Sequence, residues 1–245
     1  MTDPVRLSKR VAALRGCSRS EAELLIEGGW VRVDGERVEL PQVRVGAQQV
    51  DIDPQARAEP IPPVTLVLHK PPGFDWDATG RRPAAQLLVP QNHGGPAHRA
   101  LRILRRHFAD QRCVTPLEPA ASGLLVFSQE PAVRRRLLED AAQIEFELNV
   151  DVRQKVTEET LERLRRAPVI DGRAMLPVRV SVAGDAGAGS RLRFAVKGCR
   201  LGQIAQMCDQ AGLQIVAMRR IRVGRVPLAG LAPGRWRYLQ AQERI

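Results

Sequence analysis

The chain has 245 residues, 38 Lys and Arg against 27 Asp and Glu, and a formal charge of +11. That length accommodates one large domain and a small one with a substantial core. The charge favours polyanionic partners and speaks against acidic surfaces as the main theme. No run approaches the roughly 20 apolar residues of a membrane span. The amino terminus, Met-Thr-Asp-Pro-Val-Arg, has no apolar signal segment, so a cytoplasmic protein is expected. Cys17, Cys113, Cys199 and Cys208 form no C-x-x-C pair, and His69, His93, His98 and His107 have no ligand spacing. A metal site is not expected, and the cysteines read as reduced apolar residues. The charge is uneven: residues 1–60 hold nine basic and ten acidic residues, and residues 61–245 hold 29 and 17.

In chain order, Leu7, Val11 and Leu14 mark one face of a short helix that Gly16 ends. Ser18-Arg19-Ser20-Glu21 is a capping box for a second helix, whose buried face is Ala22, Leu25 and Ile26 and whose stop is Gly28-Gly29. Trp30-Val31-Arg32-Val33 and Arg37-Val38-Glu39-Leu40 then flank Asp34-Gly35, a hairpin signal. This pattern, with Arg6-Leu7-Ser8-Lys9, Ile26, Gly29 and Gly35, resembles the alpha-L RNA-binding fold of a small-subunit ribosomal protein. Arg6, Lys9, Arg10, Arg15 and Arg19 stand against one acid, Asp3, in the first twenty residues. They lie on one helix and at the amino end of the next, where free amides also favour phosphate. These five, with Arg32 on the hairpin, are the candidate RNA contacts of a domain at residues 1–53.

Residues 54–63 are proline-rich and aperiodic, as expected of a linker. Over 64–245, β-branched runs alternate with helices, which predicts an α+β domain built on a mixed sheet. Strands are expected at 64–69, 123–128, 145–152, 178–182, 191–197, 214–223 and 235–239. Helices are expected at 131–142, 158–166 and 203–211. Residues 97–109, with Arg99, Arg102, Arg105 and Arg106, form an Arg-rich stretch expected to be helical. It either holds RNA phosphates or presents a solvated face.

Val114-Thr115-Pro116-Leu117-Glu118-Pro119-Ala120-Ala121-Ser122-Gly123-Leu124-Leu125 resembles the active-site segment V-G-R-L-D-x-x-T-S-G-L-L of pseudouridine synthases. Val67-Leu68-His69-Lys70-Pro71-Pro72-Gly73 is similar to that family's L-N-K-P-x-G motif, where Lys70 either steers phosphate or shapes a turn. Met218-Arg219-Arg220-Ile221-Arg222-Val223-Gly224 and Leu231-Ala232-Pro233-Gly234-Arg235-Trp236-Arg237-Tyr238-Leu239 resemble its later signatures. The likeness spans nearly the whole chain, and its type is the bacterial Rsu/Rlu ribosomal RNA pseudouridine synthase. It implies an α+β fold and isomerisation, with no metal and no cofactor, of a uridine flipped out of structured RNA, ribosomal RNA foremost.

The family's chemical positions are altered here. The resemblance implies that Glu118 stands at the Asp nucleophile and Pro116 at the base-displacing Arg. Phe146 stands at the stacking Tyr, and Ala205-Gln206 at an Arg pair that should meet the nucleophile. Arg200 is the candidate substitute, in a motif one residue longer than the family's. A carboxylate moved by one methylene can cost about 100-fold in rate. Two readings stay open. One is an RNA-binding pseudoenzyme with catalysis impaired or lost. The other is an active synthase using Glu118.

Overall fold

A computed structural model describes residues 3–95, 102–166, 169–170, 173–198 and 200–245. They group into two compact units: Met1–Pro63 with Ala97–Asp110, and Val64–Pro96 with Gln111–Ile245. The chain thus leaves the second unit after Pro96 and re-enters it at Gln111. Among the described residues, no helix is long and apolar enough to cross a membrane.

The first unit runs β1 (Val5–Arg6), α1 (Leu7–Arg15), α2 (Arg19–Glu27), β2 (Val31–Val33), β3 (Glu36–Arg37), β4 (Arg44–Val45) and β5 (Val50–Ile52). Its core is Leu7, Val11, Ala22, Leu25, Ile26, Val31 and Val45. Gly16 ends α1 in the left-handed conformation, φ 68°. The capping box forms: Glu21 N–H donates to Ser18 Oγ at 3.2 Å, and Ser18 N–H donates to Glu21 Oε2 at 2.8 Å. Asp34 and Gly35 both have positive φ, 51° and 82°, as a two-residue hairpin turn requires. Leu14 departs from the expected face. It is 51% exposed, because Gly16 ends the helix before another turn can fold over it.

The expected helix over 97–109 does not form in its described part. Residues 102–104 belong to no helix or strand, with Leu104 extended at φ −115° and ψ 147°, and a single 3-10 turn follows at Arg105–Phe108. The side chains explain this. The Arg102 guanidinium lies 3.7 Å over the Trp30 ring and donates to Gly29 O at 3.2 Å. Arg37 donates to Ile103 O at 3.1 Å, and Leu104 is buried. These side-chain and backbone contacts hold the chain open where a helix would close it. Arg99 lies outside the described residues.

The second unit contains β6 (Thr65–Lys70), β7 (Arg112–Cys113), β8 (Ser122–Ser128), α3 (Pro131–Glu139), β9 (Glu145–Val152), α4 (Glu158–Arg165), β10 (Val169–Ile170), β11 (Arg173–Ala174), β12 (Arg179–Ala186), β13 (Gly189–Lys197), α5 (Gln203–Gln210), β14 (Ile215–Val223), β15 (Val226–Pro227) and β16 (Trp236–Tyr238). One mixed sheet runs β12-β13-β9-β14-β8-β6-β16, with β15 on β14 and β7 on β8. Its one parallel pairing sets Ser122 and Gly123 beside Arg219 and Arg220. The α+β class and the expected long strands are all present.

On β9 the alternation is regular: Phe146, Leu148, Val150 and Val152 are buried, and Glu145, Glu147, Asn149 and Asp151 are half-buried on the other face. Arginines from the flanking strands neutralise that second face. Arg191 reaches Asp151 at 2.6 Å, Arg222 reaches Glu145 and Glu147 at 2.5 Å, and Arg193 meets Glu147. A bulge separates Arg220 from Arg222 on β14: Arg220 pairs with Leu148, and Arg222 with Glu147. The extra residue, Ile221, puts two arginines that are two positions apart on opposite faces of the sheet.

Candidate functional site

Residues 114–121 lead into β8 and carry Glu118. Two buried cations hold this loop by its carbonyls. Lys70, fully buried at the end of β6, donates from Nζ to Ala121 O at 2.6 Å, Pro119 O at 3.1 Å and Pro71 O at 3.2 Å. Arg220, 2% exposed, donates from Nε to Leu124 O at 2.8 Å, from Nη1 to Pro116 O at 2.8 Å and from Nη2 to Thr115 O at 2.7 Å. Gly73 N–H adds a bond to Pro119 O at 2.8 Å, and Thr115 Oγ1 accepts from Val126 N–H at 2.9 Å. Leu117, 1% exposed, anchors the loop in the core. The backbone on either side of Glu118 is therefore fixed by hydrogen bonds to charged donors, which are stronger than neutral ones.

Burial pushes the Lys70 ammonium down to about 8, and Arg220 adds to that shift, while Asp75 and Glu118 oppose it. A phosphate cannot reach Lys70. Of the two expectations for this residue, its geometry fits the turn-shaping one: two of its bonds go to the loop, at Pro119 O and Ala121 O, and the third to Pro71 O just after β6.

The Glu118 side chain is half-buried, and its Oε1 accepts from Gly202 N–H at 2.7 Å. Gly202 caps α5 with φ 78°, so the carboxylate sits at a helix amino end, where free amides and the helix dipole favour negative charge. The left-handed conformation of Gly202 lets the chain turn into α5. The exposed Arg200 donates its backbone N–H to Gln203 Oε1 at 3.1 Å. Cys199 lies outside the described residues. Phe146 is 6% exposed, and its ring centroid lies 5.5 Å from the Arg220 guanidinium carbon. The structure therefore brings Glu118, Phe146 and Lys70 around one buried arginine, Arg220. In the sequence Arg220 is visible only as part of the motif Met218-Arg219-Arg220-Ile221-Arg222, with no local signal of this role.

In the first unit, Arg6, Lys9 and Arg19 line an open concavity of about 420 Å³ together with Arg44, Pro4 and Val5. The pairing of Arg6 with Arg44 across β1 and β4 brings the fourth cation in. Arg44 was missed because strands of two residues leave no periodic signal. Arg19, at the start of α2, makes a loose 3.6 Å pair with Glu23, and both side chains are about half exposed. Such a pair contributes little and leaves the cation available. Arg10 and Arg15 are exposed but lie outside this concavity, and Arg32 donates to Gly35 O at 2.9 Å in the hairpin turn.

Residues 5–51 match the model of the S4 domain family. An "Uncharacterized RNA pseudouridine synthase" of Aquifex aeolicus is 24% identical over 98% of this chain and 94% of its own length. The "Ribosomal large subunit pseudouridine synthase B" of Salmonella typhi is 26% identical over 94% of this chain and 78% of its own length. Among solved structures, a pseudouridylate synthase crystal structure superposes with a TM-score of 0.61 at 18% identity, covering 96% of each chain, which establishes the fold. The S4 match, the near full-length relatives and the shared fold together make the chain an S4-domain homologue of the bacterial Rsu-type pseudouridine synthases.

Proposed function

We propose that the protein binds structured RNA, ribosomal RNA foremost, on a pseudouridine-synthase scaffold whose catalysis is impaired or lost. The observation that carries this reading is the placement of Glu118. Its carboxylate is docked on the Gly202 amide, while the arginine at this loop, Arg220, spends Nε, Nη1 and Nη2 on backbone carbonyls. An attacking carboxylate has to meet the ribose within a few tenths of an ångström, and here it is longer by a methylene and tied to a helix end. Pro116 offers no side-chain donor to displace a base, and Phe146 no hydroxyl. The names of the relatives, ribosomal large-subunit synthases among them, support ribosomal RNA as the partner.

The active alternative has its own support. Glu118 sits half-exposed on a rigid loop, with the positive charge of Lys70 nearby and its carboxylate hydrogen-bonded at a helix amino end. Pseudouridine mapping of ribosomal RNA separates the two readings. Cells with and without the gene are expected to give the same modification map. One site lost on deletion, restored by wild type and not by Glu118→Gln, would overturn the impaired reading.

RNA binding is expected to depend on the basic concavity of the S4 domain. Replacing Arg6, Lys9, Arg19 and Arg44 by Ala removes up to four phosphate contacts. Each contact carries about 0.7–0.9 of the slope of log affinity against log salt. The variant should bind a ribosomal RNA hairpin at least about tenfold more weakly at low salt, with a shallower slope. Stability should change little, since exposed substitutions typically fall within about ±0.5 kcal/mol each. Filter binding with an intact melting curve checks this; equal affinity would remove the S4 domain from RNA recognition.

A further inference from the structure

We infer that the second unit carries a separate phosphate-binding site, formed by Arg136, Arg225 and Arg244, that takes a backbone phosphate of the bound RNA. This inference rests on the RNA-binding reading above. The site is a cavity of about 360 Å³ at the end of the sheet where β9 begins and β14 ends, with Glu145, Arg222 and Gly224 in its wall. Its wall holds four arginines against one glutamate.

The charges in the wall differ in their engagement. Arg222 is saturated: it donates to Glu145 and Glu147 at 2.5 Å each and also to Gly224 O. Glu145 is equally committed, to Arg222 and Arg179, which hold its carboxyl below the ordinary carboxylate range despite burial. Arg136, Arg225 and Arg244 are exposed and form no ion pair among the described residues. Arg225 N–H donates to Arg244 O at 3.2 Å, so the backbone fixes these two close together. Three guanidinium groups around one concavity repel each other unless an anion lies between them. Their planar forks suit the oxygens of a phosphate.

The position is distinct from the Glu118 loop. Glu145 and Arg222 lie on the sheet face opposite Phe146 and Arg220, as the alternation on β9 and the bulge on β14 require. An RNA held there contacts a face of the sheet that the Glu118 site does not use.

The test uses the full chain and a ribosomal RNA hairpin, titrated by filter binding between about 50 and 200 mM salt. Arg136, Arg225 and Arg244 are replaced together by Ala. A control variant removes three exposed cations elsewhere in the same unit: Arg153, Arg163 and Arg166. We expect the site variant to lose about one unit of salt slope, about 0.7–0.9 for the one phosphate it would hold. Its affinity at the lowest salt should fall at least about tenfold, while the control stays within about twofold of wild type and all three proteins melt alike. A site variant no weaker than the control overturns this inference and leaves the RNA-binding reading intact. A wild-type chain that binds no RNA sinks the reading itself, and the inference with it.

Discussion

Gly123→Ala is expected to lower the melting temperature by about 10 °C. Gly123 sits at the start of β8, beside Arg220 on β14, with φ +119°. A Cβ there would lie 2.3 Å from Arg220 O and 2.5 Å from Arg220 N, and both are backbone atoms that cannot rotate away. The substitution adds backbone strain of about 1–3 kcal/mol to overpacking of about 1–3 kcal/mol. We take about 4 kcal/mol as the sum, and for a chain of this size each kcal/mol moves the melting point by about 2–4 °C. Thermal unfolding followed by circular dichroism reads the shift directly. A change under about 3 °C would mean that β8 and β14 can separate at this point, and that their parallel pairing is not what sets the Glu118 loop.

Arg220→Met should destabilise the second unit by about 4 kcal/mol and free the loop around Glu118. The side chain gives three donors to three carbonyls, those of Thr115, Pro116 and Leu124. Methionine fills much of the volume but leaves the carbonyls without donors, at about 1–3 kcal/mol each. Part of that loss is recovered because a buried charge is removed. Arg220→Lys should rescue little, since an ammonium cannot present a planar fork in three directions. Urea unfolding gives the stability, and limited proteolysis within 114–121 reports the loop. Protease resistance equal to wild type in both variants would show that Lys70 alone is sufficient to hold it.

Much of the fold was legible in the sequence because it is locally encoded. The capping box at Ser18 and Glu21 and the Asp34-Gly35 turn act within four residues, and the strands from 65 to 238 show as β-branched runs between Gly and Pro. The family motifs located Glu118 and Phe146. What escaped depends on distant partners. The burial of Lys70 depends on a loop some fifty residues away, and the docking of Glu118 on Gly202 spans 84 positions. The non-helical path of residues 102–104 is imposed by Trp30 and Arg37, which no window around the Arg-rich stretch contains.

The bulge at Ile221 makes β14 a strand with two phases. Before it, Met218 and Arg220 answer to the apolar interior and the loop; after it, Val223 does, and Arg222 turns to the acidic row of β9. β14 also shifts register between Ile215 and Ala217, so a mutational scan should lose step at both places, with sensitive positions spaced by two only from 218 to 220 and by three from 220 to 223. Each half of the strand can then change without disturbing the other. Residues serving the loop and residues serving the charged face are uncoupled, although they sit side by side in the string Arg-Arg-Ile-Arg.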